Sequence, residues 1–143
     1  MENKVGFLVS RIKQLNDRVM TRVLSRNGIN EFNGPQGRIL YVLWQKDGVP
    51  IRDVSEKTGL AKTTLTGMLA HMQDIGLIDR VYDRGDKRKT LIVLTEKARS
   101  LQKQADMVSV AMNGIAFDGF NEEEIGKLEV LLEKMCSNLE KHI

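Results

Sequence analysis

A chain of 143 residues has the size of one domain, at roughly 100–200 residues each, so an enzyme built from separate cofactor and substrate modules is excluded. Apolar residues make up 41% and charged residues 29%, a globular balance without the Pro, Gly or Ser excess of disordered or fibrous chains. The longest apolar run, Ile39 to Trp44, is too short to span a bilayer, and Glu2, Arg11 and Lys13 interrupt any apolar leader, so a cytoplasmic protein with no membrane partner is expected.

The net charge of +3 conceals an asymmetry, because residues 1–99 carry +7 and residues 100–143 carry −4. A basic body joined to an acidic end segment fits a polyanion-binding part linked to a part that stays off the polyanion. The single cysteine, Cys136, permits no internal disulfide. With only His71 and His142 beside it, it is a poor stock for a metal cage or a nucleophilic site, so no metal, no cofactor and no enzymatic role is expected.

In chain order, Val5, Leu8, Ile12, Leu15, Val19 and Val23 recur every three or four positions and predict a long amphipathic helix that Asn27-Gly28 stops. Gly34-Pro35 marks the start of a second helix, and its run Ile39 to Trp44, apolar on nearly all sides, belongs at the centre of the core. After Asp47-Gly48, Val49-Pro50-Ile51 leaves room only for an extended link or a very short strand, since Pro50 cannot donate to a ladder. Ile51 to Thr58 is two helical turns, Gly59-Leu60 a tight turn, and Ala61 to Ile75 a helix with Leu65, Met68, Leu69 and Met72 on one face; two short helices so joined form a helix-turn-helix. Leu77 to Tyr82 and Leu91 to Leu94 then flank a basic, Gly-containing tip and predict a hairpin, or wing. Thr95 caps one further helix through Ala98, Leu101, Ala105, Val108, Met112 and Ile115, and Asn121 with Glu124 opens a last one through Ile125, Leu128, Leu132, Met135 and Leu139. These closing seams, with the first helix, carry more apolar stripe than one small winged domain covers, so they call for a partner.

Two segments carry a family resemblance. The stretch from Gly59-Leu60-Ala61-Lys62-Thr63-Thr64-Leu65-Thr66-Gly67-Met68-Leu69 to Gly76-Leu77-Ile78-Asp79-Arg80 is similar to the recognition helix and wing entry of the MarR-type winged-helix regulators, and Asp83-Arg84-Gly85-Asp86-Lys87-Arg88 resembles their D-R-x-D-x-R wing signature. The resemblance extends over essentially the whole chain. It implies a mainly α fold with a small β-hairpin: a single MarR-like domain (1–143) in which a winged helix-turn-helix (34–99) is flanked by long N- and C-terminal dimerisation helices (1–33 and 100–143). It implies a homodimeric repressor or activator that binds a pseudo-palindromic operator in double-stranded DNA and whose affinity falls or changes when a small aromatic or anionic effector binds, with a repressor released by its effector as the leading reading. The rival is a winged-helix adaptor that binds a protein and reads no DNA sequence; such wings usually lose their arginines, and this one keeps them. Ala61 departs from the family pattern, which places Ser or Thr as the cap. One branch of the family senses peroxide through a cysteine near the start of the chain, where this sequence has none, and Cys136 is expected to be a buried, inert thiol.

On the helical wheel, Thr63, Thr66, Gly67 and Ala70 oppose the apolar face, with Lys62, Thr64 and His71 on the shoulders. Small side chains let the backbone approach base edges in the major groove, where threonine hydroxyls and methyls make contacts; His71 is a phosphate neighbour or a plain surface residue. In the wing, Arg84, Lys87, Arg88 and Lys89 repel one another unless phosphates or a narrow minor groove neutralise them. Asp83 or Asp86 is expected to pair with Arg88 and hold the hairpin, with Arg84 entering the minor groove and Lys87 on the backbone. Arg52, at the start of the first short helix, is a further phosphate contact. Met20, Tyr41 and Trp44 are the candidates for an effector cavity, although aromatics at helical spacing more often belong to the core.

Overall fold

Among the residues that the computed structural model describes, 2–86 and 88–143, the elements run α1 (Val5–Arg26), α2 (Gly34–Gln45), β1 (Val49–Pro50), α3 (Ile51–Thr58), α4 (Lys62–Asp74), β2 (Ile78–Tyr82), β3 (Thr90–Leu94), α5 (Glu96–Ser100), α6 (Gln102–Ala116) and α7 (Glu122–Glu140). They form two compact units, Met1–Ser109 and Val110–Ile143.

In the first unit, α2 is the central helix. Asn33 accepts from the Gln36 amide at 2.9 Å while Gln36 accepts from the Asn33 amide at 3.0 Å, a capping box that satisfies one backbone donor on each side of Pro35. Ile39, Leu40 and Leu43 are fully buried, as the apolar run requires. The helix meets α1, α3 and β3. The three strands are antiparallel in the order β1-β3-β2, with Val49 opposite Ile92 and Ile78 opposite Leu94. Pro50 therefore lies in an edge strand, where its missing N–H breaks no ladder.

The helix-turn-helix depends on backbone that only glycine adopts without strain. Gly59 closes α3 at φ +75°, and Gly76 closes α4 at φ +79°. Beyond Gly76 the Leu77 amide reaches back to the Met72 carbonyl at 2.9 Å, the long bond of a Schellman close. Thr95 then ties this end of α4 to the next helix. Its hydroxyl donates to the Gly76 carbonyl at 2.7 Å and accepts from the Ala98 amide at 3.2 Å, so the cap of α5 also anchors the root of the hairpin. Asp47 holds the opposite side, accepting from the Gly48 and Leu94 amides at 2.9 and 2.8 Å and from Arg99 at 3.2 Å.

The single helix expected after Thr95 is two. At Leu101 the amide bonds to Ala98, three residues back, at 3.2 Å, which tightens the turn and separates α5 from α6. The apolar seam runs through the break, since Ala98, Leu101, Ala105, Val108 and Met112 are all buried. In the second unit, Asn121 and Glu124 form the expected capping box at 2.8 and 3.0 Å, and Phe117 meets Phe120 edge to face with centroids 5.5 Å apart. No residue of α7 is buried within the chain. Cys136 shares its stripe with Leu132 and Leu139, both exposed, and the thiol is exposed rather than buried.

Ala61 occupies the N-cap of α4 in the extended conformation a cap needs, φ −63° and ψ 146°, but it offers no side-chain acceptor. Ala61→Ser is therefore expected to stabilise the chain by about 1 kcal/mol. Urea unfolding of the two proteins checks this, with the gain appearing in the midpoint and not in the slope.

Candidate nucleic-acid interface and an adjoining cavity

Along α4, Leu65, Leu69 and Met72 are fully buried, and Met68 is half-buried at the edge of the same stripe. A helix that commits those positions inward turns the others out. Lys62, Thr63, Thr64, Thr66, Gly67, Ala70 and His71 are all exposed, so every position singled out on this helix lies on its free surface. The Thr66 hydroxyl donates to the Lys62 carbonyl at 2.7 Å, which leaves an oxygen lone pair and the methyl group for an outside partner. A Cβ built on Gly67 meets nothing within 4 Å, so no intramolecular contact demands glycine there.

The tip of the wing is held by its aspartates in a different way from that expected. Asp83 accepts from the Gly85 amide at 3.0 Å, and Asp86 accepts from the Arg88 amide at 3.0 Å. Among the described residues neither carboxylate pairs with the Arg88 guanidinium. Two-residue Asx turns of this kind arise because a short side chain reaches its own backbone more readily than a long, mobile arginine. The aspartates therefore fix the loop and leave the exposed Arg84, Arg88 and Lys89 without carboxylate partners among the described residues. Lys87 lies outside the described residues. Arg52 is exposed on α3 and pairs with Glu56 one turn on at 3.2 Å.

A cavity of about 450 Å³ opens within the first unit. One wall is the face of α2 that carries Arg38, Tyr41, Val42 and Gln45; Met20, Phe32, Ala105 and Val108 supply apolar surface, and Lys57 and Thr58 bring in the end of α3. Met20 and Tyr41 thus line it as expected. Trp44 does not. Its indole N–H donates to the Ala98 carbonyl at 3.1 Å, and its ring stands edge-on to Phe32 with centroids 6.1 Å apart, so a carbonyl and an aromatic neighbour hold it half-buried and outside the cavity lining.

Sequence reasoning passed over the main charged group of this cavity. Arg38 donates to Asp17 of α1, whose other oxygen accepts from Lys13 at 3.1 Å. Partial burial pushes the Asp17 carboxyl up, but the hydrogen bonds and charges of Lys13 and Arg38 together outweigh it and hold the group below its usual value. The only clue in the sequence was the Lys13–Asp17 spacing of four, a common surface pairing that gives no hint of a third partner 21 positions on. The capping box of α2, by contrast, is carried by the local spacing Asn33-x-x-Gln36.

An exposed small-residue helix beside a basic hairpin, in a helix-turn-helix frame, defines a winged-helix protein. Residues 32–90 match the family model described as MarR family. The curated relatives that match this region are named as transcriptional regulators. The chain is 31% identical over 86 residues to the HTH-type transcriptional regulator TtmR of Methylorubrum extorquens, a match covering 60% of this chain and 44% of that relative. It spans about half the length, or less, of two curated relatives it matches over this region, 44% and 48%. Two solved structures share the fold with a TM-score of 0.80 each: CouR from Rhodococcus jostii RHA1 bound to p-coumaroyl-CoA (24% identity, 94% of this chain and 92% of that one), and a MarR variant from E. coli complexed with operator DNA (22% identity, 92% of each chain). The fold is mainly helical with a small antiparallel sheet, of the MarR winged-helix type. Among the described residues no helix is long and apolar enough to cross a membrane.

The sign of the Asp17 shift makes a prediction. With its folded value below the ordinary 3.8, the ionised carboxyl stabilises the fold at every pH above that value, and the contribution is lost as pH falls through the lower folded one. Asp17→Asn is expected to lower the urea midpoint at pH 7, and its difference from the wild type is expected to narrow when the pH is taken below the ordinary 3.8. An unchanged difference between the two pH values would show that the loss is steric rather than electrostatic.

Proposed function

We propose that the chain is a homodimeric transcriptional regulator that binds a pseudo-palindromic operator, with α4 in the major groove and the wing arginines at the minor groove, and that it acts as a repressor released by a small aromatic or anionic molecule. The observation that carries the reading is the pairing of a small, uncovered α4 surface with a hairpin tip whose aspartates bond to backbone amides and leave the arginine charge available. Arg84 takes the minor groove, where a narrow A·T-rich stretch attracts guanidinium, while Lys89, Arg88, Arg52 and Lys62 meet phosphates. The weak surface pair to Glu56, worth about 0–1 kcal/mol, does not prevent Arg52 from doing so. His71 borders the same surface.

The dimer is supported by apolar side chains that the single chain leaves bare. On α1 these include Phe7, Ile12 and Leu15, and on α7 Val130, Leu131 and Leu139. Stripes of this extent are rare on soluble monomers. The effector is supported by the cavity, which reaches from α1 through α2 to the end of α3, so a molecule filling it touches the helix-turn-helix directly. That the structural relatives include one bound to p-coumaroyl-CoA and one complexed with operator DNA agrees with both parts of the reading.

Selection of bound duplexes from a random pool, then titration of the selected duplex over a range of salt, tests the reading. Two chains per duplex and an affinity that falls steeply with salt are expected. Arg84→Ala should weaken the selected duplex more than an unrelated one. Lys89→Ala should weaken both alike and reduce the salt slope by about 1 per subunit. Equal, sequence-independent losses would overturn the wing assignment, and no duplex binding at low salt would return the protein to the adaptor class.

Gly67 gives an independent check. Glycine costs a helix interior about 1 kcal/mol relative to alanine, and no intramolecular contact here calls for it. Gly67→Leu should melt at the same or a higher temperature and bind the selected duplex about tenfold more weakly or worse, because the new side chain meets the groove wall. A leucine variant that is as stable and binds as tightly would remove α4 from the groove.

A further inference from the structure

The cavity contains one feature that its role as an effector site does not by itself explain, a guanidinium already occupied by a carboxylate from the same chain. We propose that Asp17 holds the seat of the effector's own anionic group, and that an apolar molecule with a single carboxylate binds by replacing Asp17 as the partner of Arg38. This rests on the reading of the cavity as an effector site and assigns its specificity to one exchange.

Three observations carry it. Arg38 lines the cavity on the same face of α2 as Tyr41 and Val42, so an anion that takes Asp17's place on the guanidinium leaves the rest of the ligand against apolar wall. Its side chain remains 41% accessible, against 23% for Asp17, so Arg38 is the more exposed member of the pair and the one an incoming carboxylate meets first. Asp17, in turn, is bonded through both oxygens, one to Arg38 and one to Lys13. When Arg38 turns to the ligand, Asp17 keeps Lys13 on its own helix, so the exchange strands no carboxylate without a partner. A pair in which either member lost its only partner would resist such an exchange by the full cost of an uncompensated charge.

The seat also lies at the first turn of α2. A Cβ on Gly34, the first residue of that helix, would stand 3.7 Å from the Asp17 Oδ1, so the displaced and the incoming carboxylates both sit near the positive end of α2. The exchange has a mechanical consequence. Asp17 and Arg38 join α1 to α2, and α2 packs on α3 and β3, so replacing the chain's own carboxylate with a diffusible one removes an ionic tie between α1 and the helix-turn-helix.

The test is calorimetric titration of the full chain, without DNA, with 2-naphthoate and its neutral isostere 2-naphthamide. The wild type should bind naphthoate more tightly than naphthamide. Asp17→Asn, which vacates the guanidinium, should tighten naphthoate by about five- to tenfold and leave naphthamide unchanged, as expected for one charge-assisted bond released from competition. The double variant Asp17→Asn/Arg38→Gln, which removes both members of the pair and leaves only the exposed Lys13 without its carboxylate, should lose the preference for naphthoate; circular dichroism confirms that it is folded. Naphthoate binding that Asp17→Asn leaves unchanged or weakens, while naphthamide still binds, would overturn the exchange and leave the effector reading standing. Failure of both compounds on every variant would overturn the exchange and the effector site together, and neither result touches the DNA titration.

Discussion

The inward stripe of α4 is the constraint on which the rest of the molecule depends. Leu65, Leu69 and Met72 are fully buried, and with 3.6 residues per turn their commitment decides that Thr63, Thr66, Gly67 and Ala70 face away. The ends of the helix are then fixed by backbone chemistry. Gly59 and Gly76 supply the two left-handed residues, and Thr95 bonds to the carbonyl of the second of these. The hairpin root is therefore attached to the end of the helix whose outer face is proposed to read DNA. A shift of the α4 register by one residue would bury a threonine, expose a leucine and move the wing with it.

What was legible in the sequence follows from the range of the interactions involved. Amphipathic periodicity, Asn121-x-x-Glu124, Gly59 and Gly76 all act within one or two turns, and the elements they predict lie within a few residues of those observed. The failures share the opposite property. Trp44 read as a cavity residue because periodicity places it near Tyr41, but its indole is claimed by a carbonyl 54 positions away. Asp17 and Arg38, 21 positions apart, left no joint signal. The break at Leu101 was invisible for another reason: an i to i−3 bond changes the turn without disturbing the apolar spacing. Cys136 differs from its expectation because apolar neighbours one turn away do not by themselves imply burial: the stripe it shares with Leu132 and Leu139 is exposed.

The aspartates show how acidic residues sort the cations of a basic protein. Those of the wing, Asp83 and Asp86, accept from backbone amides and leave the nearby guanidinium groups charged and available. Asp17 does the reverse and takes a guanidinium directly. Asp47 takes both, two amides and Arg99, and so serves the fold. Phosphate needs exposed cations held on a defined loop, which amide-bonded aspartates provide without neutralising them. A cavity that recognises one small anion needs the opposite arrangement, a cation kept satisfied until that anion arrives, because an unpaired guanidinium against apolar walls would attract any anion in solution. Under the proposed reading the same residue type thus supplies rigidity at the DNA surface and selectivity in the cavity, and only the identity of its hydrogen-bond donor distinguishes the two roles.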